Sequence, residues 1–494
     1  MKHIFTFIFL FSSVGIFAQK VEIPVDTTVV TEHSVRIKGQ NINYTATTGT
    51  QPLWNEDGDP IASLHYTYYK RSNISNTENR PLVISFNGGP GSASVWMHIA
   101  YTGPRVLKID NEGFPVQPYG VKDNPHSILD VADIVYVNPV NTGYSRPIPN
   151  KEGKVEKEKF FGVQADIKYL AEWLNTFMTR NNRWLSPKYL IGESYGTTRV
   201  SGLALELQNS QWMYLNGVIL VSPTEIGIDR EGPVEVANRL PYFAAAAWYH
   251  DALPQELQNR ELEDLLAEVE EYAINDLLPA LIKGGFTEPD KKQAAAEKMA
   301  YYSGLSEKVI LQNNLEVPIR YFWKELLRED SGYTLGRLDS RYLGLDAKEA
   351  GDSPDYNSEL TSWLHSFTPA INHYLREELN FKTDLKYFMF GPVHPWDRSG
   401  DNTGENLRQA MAQNPNLDVL VQSGYFDGAT TYFNAKYSMW QLDKSGKMKD
   451  RLSFKGYESG HMMYLRAEDL KNANDDIREF IENSLPLEGA PAKY

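Results

Sequence analysis

Apolar and polar positions along the chain change rhythm three times. Thr45 to Arg71 alternates around the run Asn55-Glu56-Asp57-Gly58-Asp59-Pro60, and Ile61–Tyr69 is aromatic and strand-like. This pattern predicts an antiparallel hairpin. The Asp57 and Asp59 pair has the look of a calcium loop, but Asp-Gly-Asp-Pro is better explained by turn chemistry. Short, continuously apolar runs follow at Leu82–Phe86, Ile134–Val137, Lys188–Ile191, Val218–Val221 and Val419–Val421. Runs of this kind are buried on both faces of a parallel sheet. Helical patterns at Phe160–Thr179 and Arg199–Gln208 lie between some of them, and the alternation predicts a doubly wound α/β sheet.

After Thr224 the rhythm is lost. From 226 to 390 the chain carries long amphipathic helical patterns, among them Pro254–Leu266 continuing to Ile282, and Lys291–Tyr302. No repeat period marks a solenoid, so this stretch reads as a helical cap inserted between a first core segment, 19–225, and a second, 391–494.

Met1–Ala18 has one early lysine, an apolar run from Ile4 to Leu10 and smaller residues ending in Ala18. That layout predicts a signal peptide and an exported protein, periplasmic or extracellular. Ile16 is a poor fit three residues before the cut. The rival reading, a membrane anchor, needs a longer uninterrupted apolar stretch than Ser12 and Ser13 allow, and the processed chain is expected to stay off the membrane. The net charge of −15 and the lack of a basic cluster argue against nucleic acid. The absence of cysteine excludes disulfides, thiolate metal sites and thiol nucleophiles. No cofactor and no metal is called for, and chemistry is left to hydroxyls, carboxylates and imidazoles.

Gly192-Glu193-Ser194-Tyr195-Gly196 follows an apolar run and precedes a helical pattern. A serine flanked by glycines two positions away fits a nucleophile elbow, in which a strand turns sharply into a helix and exposes the hydroxyl at the helix N-terminus; an ordinary glycine-flanked turn is the plain alternative. Such a serine needs a base, and the base an acid. In the chain order of α/β hydrolases these come after the serine, acid first. Asp427 stands just past the resumed strand, and His461 is the one histidine beyond it. His250, His365, His373 and His394 read as structural or pocket-lining. An oxyanion hole is expected from the loop after Leu82–Phe86, where the Gly89 and Tyr195 N–H groups would form a donor pair. A phosphate-cradling reading of this loop fails because neither Gly-Lys-Ser/Thr nor GxGxxG is present.

Asn87–Gly91 (NGGPG), Pro139–Ser145 (PVNTGYS), Gly192–Gly196 (GESYG), Asp427 after Ser423-Gly424, and Gly460-His461-Met462 together resemble the serine carboxypeptidase family in order and spacing. The resemblance implies an α/β-hydrolase fold and a peptide or protein substrate. It implies Ser194 as nucleophile, His461 as base, Asp427 as its orienter, and Gly89 with Tyr195 as oxyanion donors. It further implies that Asn87 and Glu193 bind the substrate's terminal carboxylate, which requires a proton shared between two carboxyls and a raised Glu193 pKa. Three positions depart from the family pattern. Tyr101 stands where members often have a second glutamate and is a further candidate for the carboxylate. Ser92 replaces a cysteine, and Ser85 a tryptophan. The reading is an exported serine carboxypeptidase of a divergent, disulfide-free and bacterial branch. Its rivals are another serine hydrolase or acyltransferase on the same scaffold, or a non-catalytic peptide-binding module.

Overall fold

The computed structural model describes residues 21–486 together with 489, 491 and 493, so the expected signal segment lies outside the described residues. The long strands are β1 (Thr27–Ile37), β2 (Gln40–Trp54), β3 (Pro60–Arg71), β4 (Leu82–Phe86), β5 (Asp133–Val137), β6 (Lys188–Glu193), β7 (Gly217–Val221), β8 (Asp418–Gly424) and β9 (Leu452–Tyr457). They form one sheet in the order β1-β2-β3-β5-β4-β6-β7-β8-β9, with the two-residue strand Arg146–Pro147 paired to β3. β1, β2, β3 and β5 pair antiparallel in succession; from β5 through β9 every pairing is parallel.

The β2–β3 hairpin occupies the alternating stretch, and its turn is closed by Asn55, whose side chain accepts the Asp59 N–H at 2.8 Å. Every residue of β4, β5 and β7 is buried, which accounts for their unbroken apolar runs. The chain leaves β4 outward to β5 and returns past it to β6. This reversal leaves the carboxyl ends of β4 and β6 side by side, with Phe86 paired to Gly192. A crevice at such a switch point is where open α/β sheets bind ligands.

One sheet face packs against α1 (Val95–Ala100), α8 (Ser358–His373) and α10 (Ala467–Ser484). The other packs against α2 (Val163–Arg180), α3 (Tyr195–Ser210) and α9 (Thr403–Gln413). A third core, formed by α4 (Pro233–Tyr249), α5 (Leu262–Tyr272), α6 (Pro289–Ser303) and α7 (Ile319–Glu325), is closed by Tyr425, Phe426, Tyr432 and Phe433 from the segment after β8.

The stretch from 226 to 390 therefore serves two cores. Its first part, to about Leu335, builds the separate helical core. Its second part, including Trp363, Phe367, Ile371 and Tyr374 of and after α8, packs on the sheet side, where Phe367 meets Trp96 with ring centroids 4.6 Å apart. Helical periodicity reports that a stripe is buried, not which layer buries it.

Candidate active site

Ser194 sits between β6 and α3 with φ 57° and ψ −128°, a conformation that costs about 1–3 kcal/mol for a residue with a side chain. The turn is tight enough that a Cβ on Gly192 would lie 2.2 Å from the Gly196 carbonyl oxygen. The Ser194 N–H is fastened to the Val221 carbonyl at the end of β7 at 3.0 Å. The serine thus caps the 16-residue helix α3, whose positive end favours negative charge developing on the hydroxyl.

Asp427 and His461 meet 2.7 Å apart, Oδ2 to Nδ1. Asp427 is fully buried, and its carboxylate accepts the Ala429 and Thr430 N–H groups at 2.8 and 3.1 Å and lies 2.7 Å from the Thr430 hydroxyl. Burial alone would lower the His461 pKa, but the adjoining Asp427 carboxylate outweighs it, and the net shift is upward. The His461 backbone is pinned at both ends: its N–H donates to the Leu338 carbonyl at 2.6 Å, and its carbonyl accepts the Ser222 hydroxyl at 2.8 Å. With Nδ1 engaged by Asp427, Nε2 is left for the serine side. Among the described histidines, only His461 lines the cavity above Ser194.

The Asn87–Gly91 loop follows β4 and lies against the elbow so closely that a Cβ on Gly88 would fall 2.6 Å from the Tyr195 nitrogen. The Gly89 and Tyr195 N–H groups have no acceptor among the described residues. A fully buried arginine holds the loop from behind. Arg199 of α3 pairs with Asp166 of α2 at 2.7 Å and donates to the Asn87 carbonyl at 2.6 Å. Tyr169 donates to the other Asp166 oxygen at 2.9 Å. Ser92, in the cysteine's place, accepts the Trp96 indole N–H at 2.8 Å.

Glu193 is buried beside the serine, and burial pushes its carboxyl up to about 7, against the pull of His461 and a hydrogen bond from the Tyr464 hydroxyl. Asn87 presents its Oδ1 to the Met97 N–H at 3.0 Å, while its Nδ2 has no well-aligned acceptor among the described residues. Tyr101 is not brought to the cavity: it is fully buried, and its hydroxyl donates to Gln422 Oε1 at 2.6 Å. Its ring stacks on Tyr464, with centroids 4.5 Å apart, so Tyr464 is the phenol that reaches Glu193. The sequence reading missed Tyr464. Its one signal was position, three residues beyond the candidate base.

The cavity, about 370 Å3, is lined by Gly88, Gly89, Glu193, Ser194, Tyr195 and His461. Trp96, Leu338, Trp363 and Met462, which pack in the core on one sheet face, also line it, as do Leu360, Thr198, Thr224, Arg230 and Arg398. Asn87 adjoins Trp96 through the bond that its side chain accepts from the Met97 N–H. A strained serine, an imidazole on a buried carboxylate and two free N–H groups at one sheet edge are the parts of a serine hydrolase.

Residues 51–321 match the sequence profile described as serine carboxypeptidase, and the chain belongs to that family of serine hydrolases. It is 28% identical over 208 residues to serine carboxypeptidase-like 16 of Arabidopsis thaliana, covering 39% of this chain and 43% of that protein. It is 30% identical over 154 residues to the pheromone-processing carboxypeptidase of Saccharomyces cerevisiae, covering 30% of this chain and 20% of that one. These alignments span less than half of either relative. Among solved structures, a prohormone-processing carboxypeptidase from Saccharomyces cerevisiae superposes with a TM-score of 0.51 at 14% identity, over 89% of this chain and 92% of that one. That likeness speaks for the α/β-hydrolase fold.

Proposed function

We propose that the protein is an exported serine carboxypeptidase that releases C-terminal residues through an acyl-enzyme. The observation that carries this reading is Glu193: a buried carboxyl next to the nucleophile, flanked by the Asn87 amide and holding its proton up to about 7. A carboxyl of that kind shares its proton with a second carboxylate, and the C-terminus of a peptide supplies one. With the terminal carboxylate on the Asn87–Glu193 side, the leaving residue lies against the Trp96, Trp363 and Met462 flank. The acyl residue lies toward Thr198 and Arg398.

In this mechanism His461 Nε2 takes the Ser194 proton as the hydroxyl oxygen attacks the last peptide carbonyl, and Asp427 stabilises the imidazolium. The Gly89 and Tyr195 N–H groups receive the oxyanion. His461 then protonates the leaving amine, and the amino acid departs. Water then gives a proton to the same imidazole as it attacks the acyl carbonyl, and the imidazolium returns that proton to the departing Ser194 oxygen, releasing the shortened peptide.

Matched peptides with a free or an amidated C-terminus test the reading: strong preference for the free acid is expected, and equal rates would sink carboxylate recognition. A second reading, a hydrolase or acyltransferase for esters or amides, is favoured by the withdrawal of Tyr101 to Gln422, which leaves Glu193 without a paired acid. Export rests on Met1–Ala18. Among the described residues no helix is long and apolar enough to cross a membrane.

A further inference from the structure

The acid and base loops of the candidate triad are joined by a segment that no catalytic motif predicts. Between the helical core and α8, residues Arg337–Ser340 cross both. The Arg337 carbonyl accepts the Gly428 N–H at 3.1 Å, and the Ser340 N–H donates to the Phe426 carbonyl at 3.0 Å, so the residues on either side of Asp427 are bonded to it. The Leu338 carbonyl accepts the His461 N–H at 2.6 Å. Asp339 packs beneath Gly460, where an added Cβ would lie 2.4 Å from its own Cβ, and is itself held by Arg341 at 2.7 Å.

Two side chains from outside bond to the segment's backbone: His250 Nε2 lies 2.7 Å from the Ser340 carbonyl oxygen at its end, and Glu359 holds its middle. Glu359, in the first turn of α8 and fully buried, accepts the Leu338 N–H on Oε1 at 3.0 Å. Its Oε2 has no partner among the described residues, and burial raises its carboxyl to about 7. A half-satisfied carboxyl in an apolar layer destabilises the fold relative to a leucine of similar size, so packing gives no reason for it. Its one bond to another residue leads through a single residue, Leu338, to the backbone of the catalytic imidazole. The next residues on the same helix, Leu360 and Trp363, line the cavity.

We propose that Glu359 is a positioning residue for His461, acting through Leu338, and that the Arg337–Ser340 strap sets the distance between the acid and base loops. This rests on the serine-hydrolase reading. When the Leu338 N–H loses its acceptor, the peptide before Leu338 is held only by the Gly428 bond to its carbonyl. Rotation about the Leu338 Cα then displaces the Leu338 carbonyl, the His461 N–H loses its fixed partner, and Nε2 shifts relative to Ser194. The terminal-carboxylate site is untouched, so the loss falls on turnover. Misplacement of a catalytic group by about 1 Å costs on the order of 10²-fold in rate.

The test measures the rate of Ser194 labelling by a fluorophosphonate, along with kcat and KM on a free-acid peptide, in wild type, Glu359→Ala and Glu359→Gln. Glutamine keeps an oxygen for Leu338 and removes the titrating proton. Glu359→Ala is expected to lower the labelling rate and kcat together, about 10- to 100-fold, with KM within about twofold, while Glu359→Gln restores most of both. The proton NMR signal of the His461–Asp427 hydrogen bond should broaden or move upfield in the alanine variant and return in the glutamine one. Wild-type labelling and kcat in Glu359→Ala would overturn the proposal, as would a loss confined to KM or a glutamine variant as slow as the alanine one. Failure of the wild type itself to label would overturn the serine-hydrolase reading instead. Should Glu359→Ala not fold, Glu359→Gln against Glu359→Leu gives the same comparison.

Discussion

If the proposed function holds, replacing Tyr464 by phenylalanine is expected to move the alkaline limit of activity on free-acid peptides upward. The Tyr464 hydroxyl donates to Glu193 Oε2 and so favours the charged form of a carboxyl that burial has already raised from 4.5 to about 7. A hydrogen bond to a charged group contributes about 1.5–3 kcal/mol, and one pH unit corresponds to about 1.4 kcal/mol. Removing the donor should therefore raise the Glu193 pKa by about one to two units. Only protonated Glu193 can share a proton with a substrate carboxylate, so binding should persist to higher pH. The assay is kcat/KM against pH, from 5 to 9, on a free-acid peptide, with the matching ester as a control that ignores Glu193. The midpoint of the alkaline limb should rise for the acid and stay in place for the ester. An unchanged or lowered midpoint would show that Tyr464 does not govern Glu193, or that Glu193 does not hold the carboxylate.

Glu193→Gln should flatten that limb, and it should also stabilise the fold. The folded-state pKa of Glu193 is raised, so its contribution is fully present below about 4.5 and is lost as pH passes about 7. At pH 8 the variant should gain up to about 3 kcal/mol over wild type, and at pH 4 nothing, as read from urea midpoints. Ser194→Ala and His461→Ala should each lower turnover by several orders of magnitude and leave a residue of catalysis from binding and the oxyanion hole; turnover retained by purified Ser194→Ala removes it as nucleophile. Arg199→Met leaves the buried Asp166 carboxylate unpaired and should cost about 3–5 kcal/mol in denaturant unfolding, partly recovered by adding Asp166→Asn; a loss under 1 kcal/mol would contradict the pairing. Gly192→Ala places a methyl 2.2 Å from a carbonyl oxygen and should abolish phosphonate labelling of Ser194.

The parts of the site that obey local rules were legible in the sequence. Glycines at 192 and 196 bracket a serine because the elbow admits little else, and unbroken apolar runs mark strands buried on both faces. Chain order singled out His461 from ten histidines, and the structure seats it on Asp427. What escaped depends on which layers meet in space. Tyr101 and Tyr464 are both buried tyrosines near the site, and only the stacking of one on the other decides which hydroxyl turns to Glu193. Glu359 looks like an ordinary first-turn acid of an amphipathic helix, and nothing around it in the chain says that the helix lies on the sheet side. The second half of the inserted stretch packs on the sheet side, which its periodicity does not reveal, since a stripe of apolar residues names no partner.

The placement of Asp427 and His461 bears on when the protein becomes active during synthesis. The strained serine, its oxyanion loop and the arginine behind them all lie within the first two hundred residues, whereas the base arrives far downstream, on the loop after the last strand. Contacts so distant in sequence form late, and domains emerging from the ribosome fold from the N-terminus. A nascent chain carrying the nucleophile alone lacks the imidazole that activates it. Under the proposed function, catalytic competence therefore coincides with completion of the sheet, and a product interrupted before His461 is expected to stay inert toward neighbouring polypeptides.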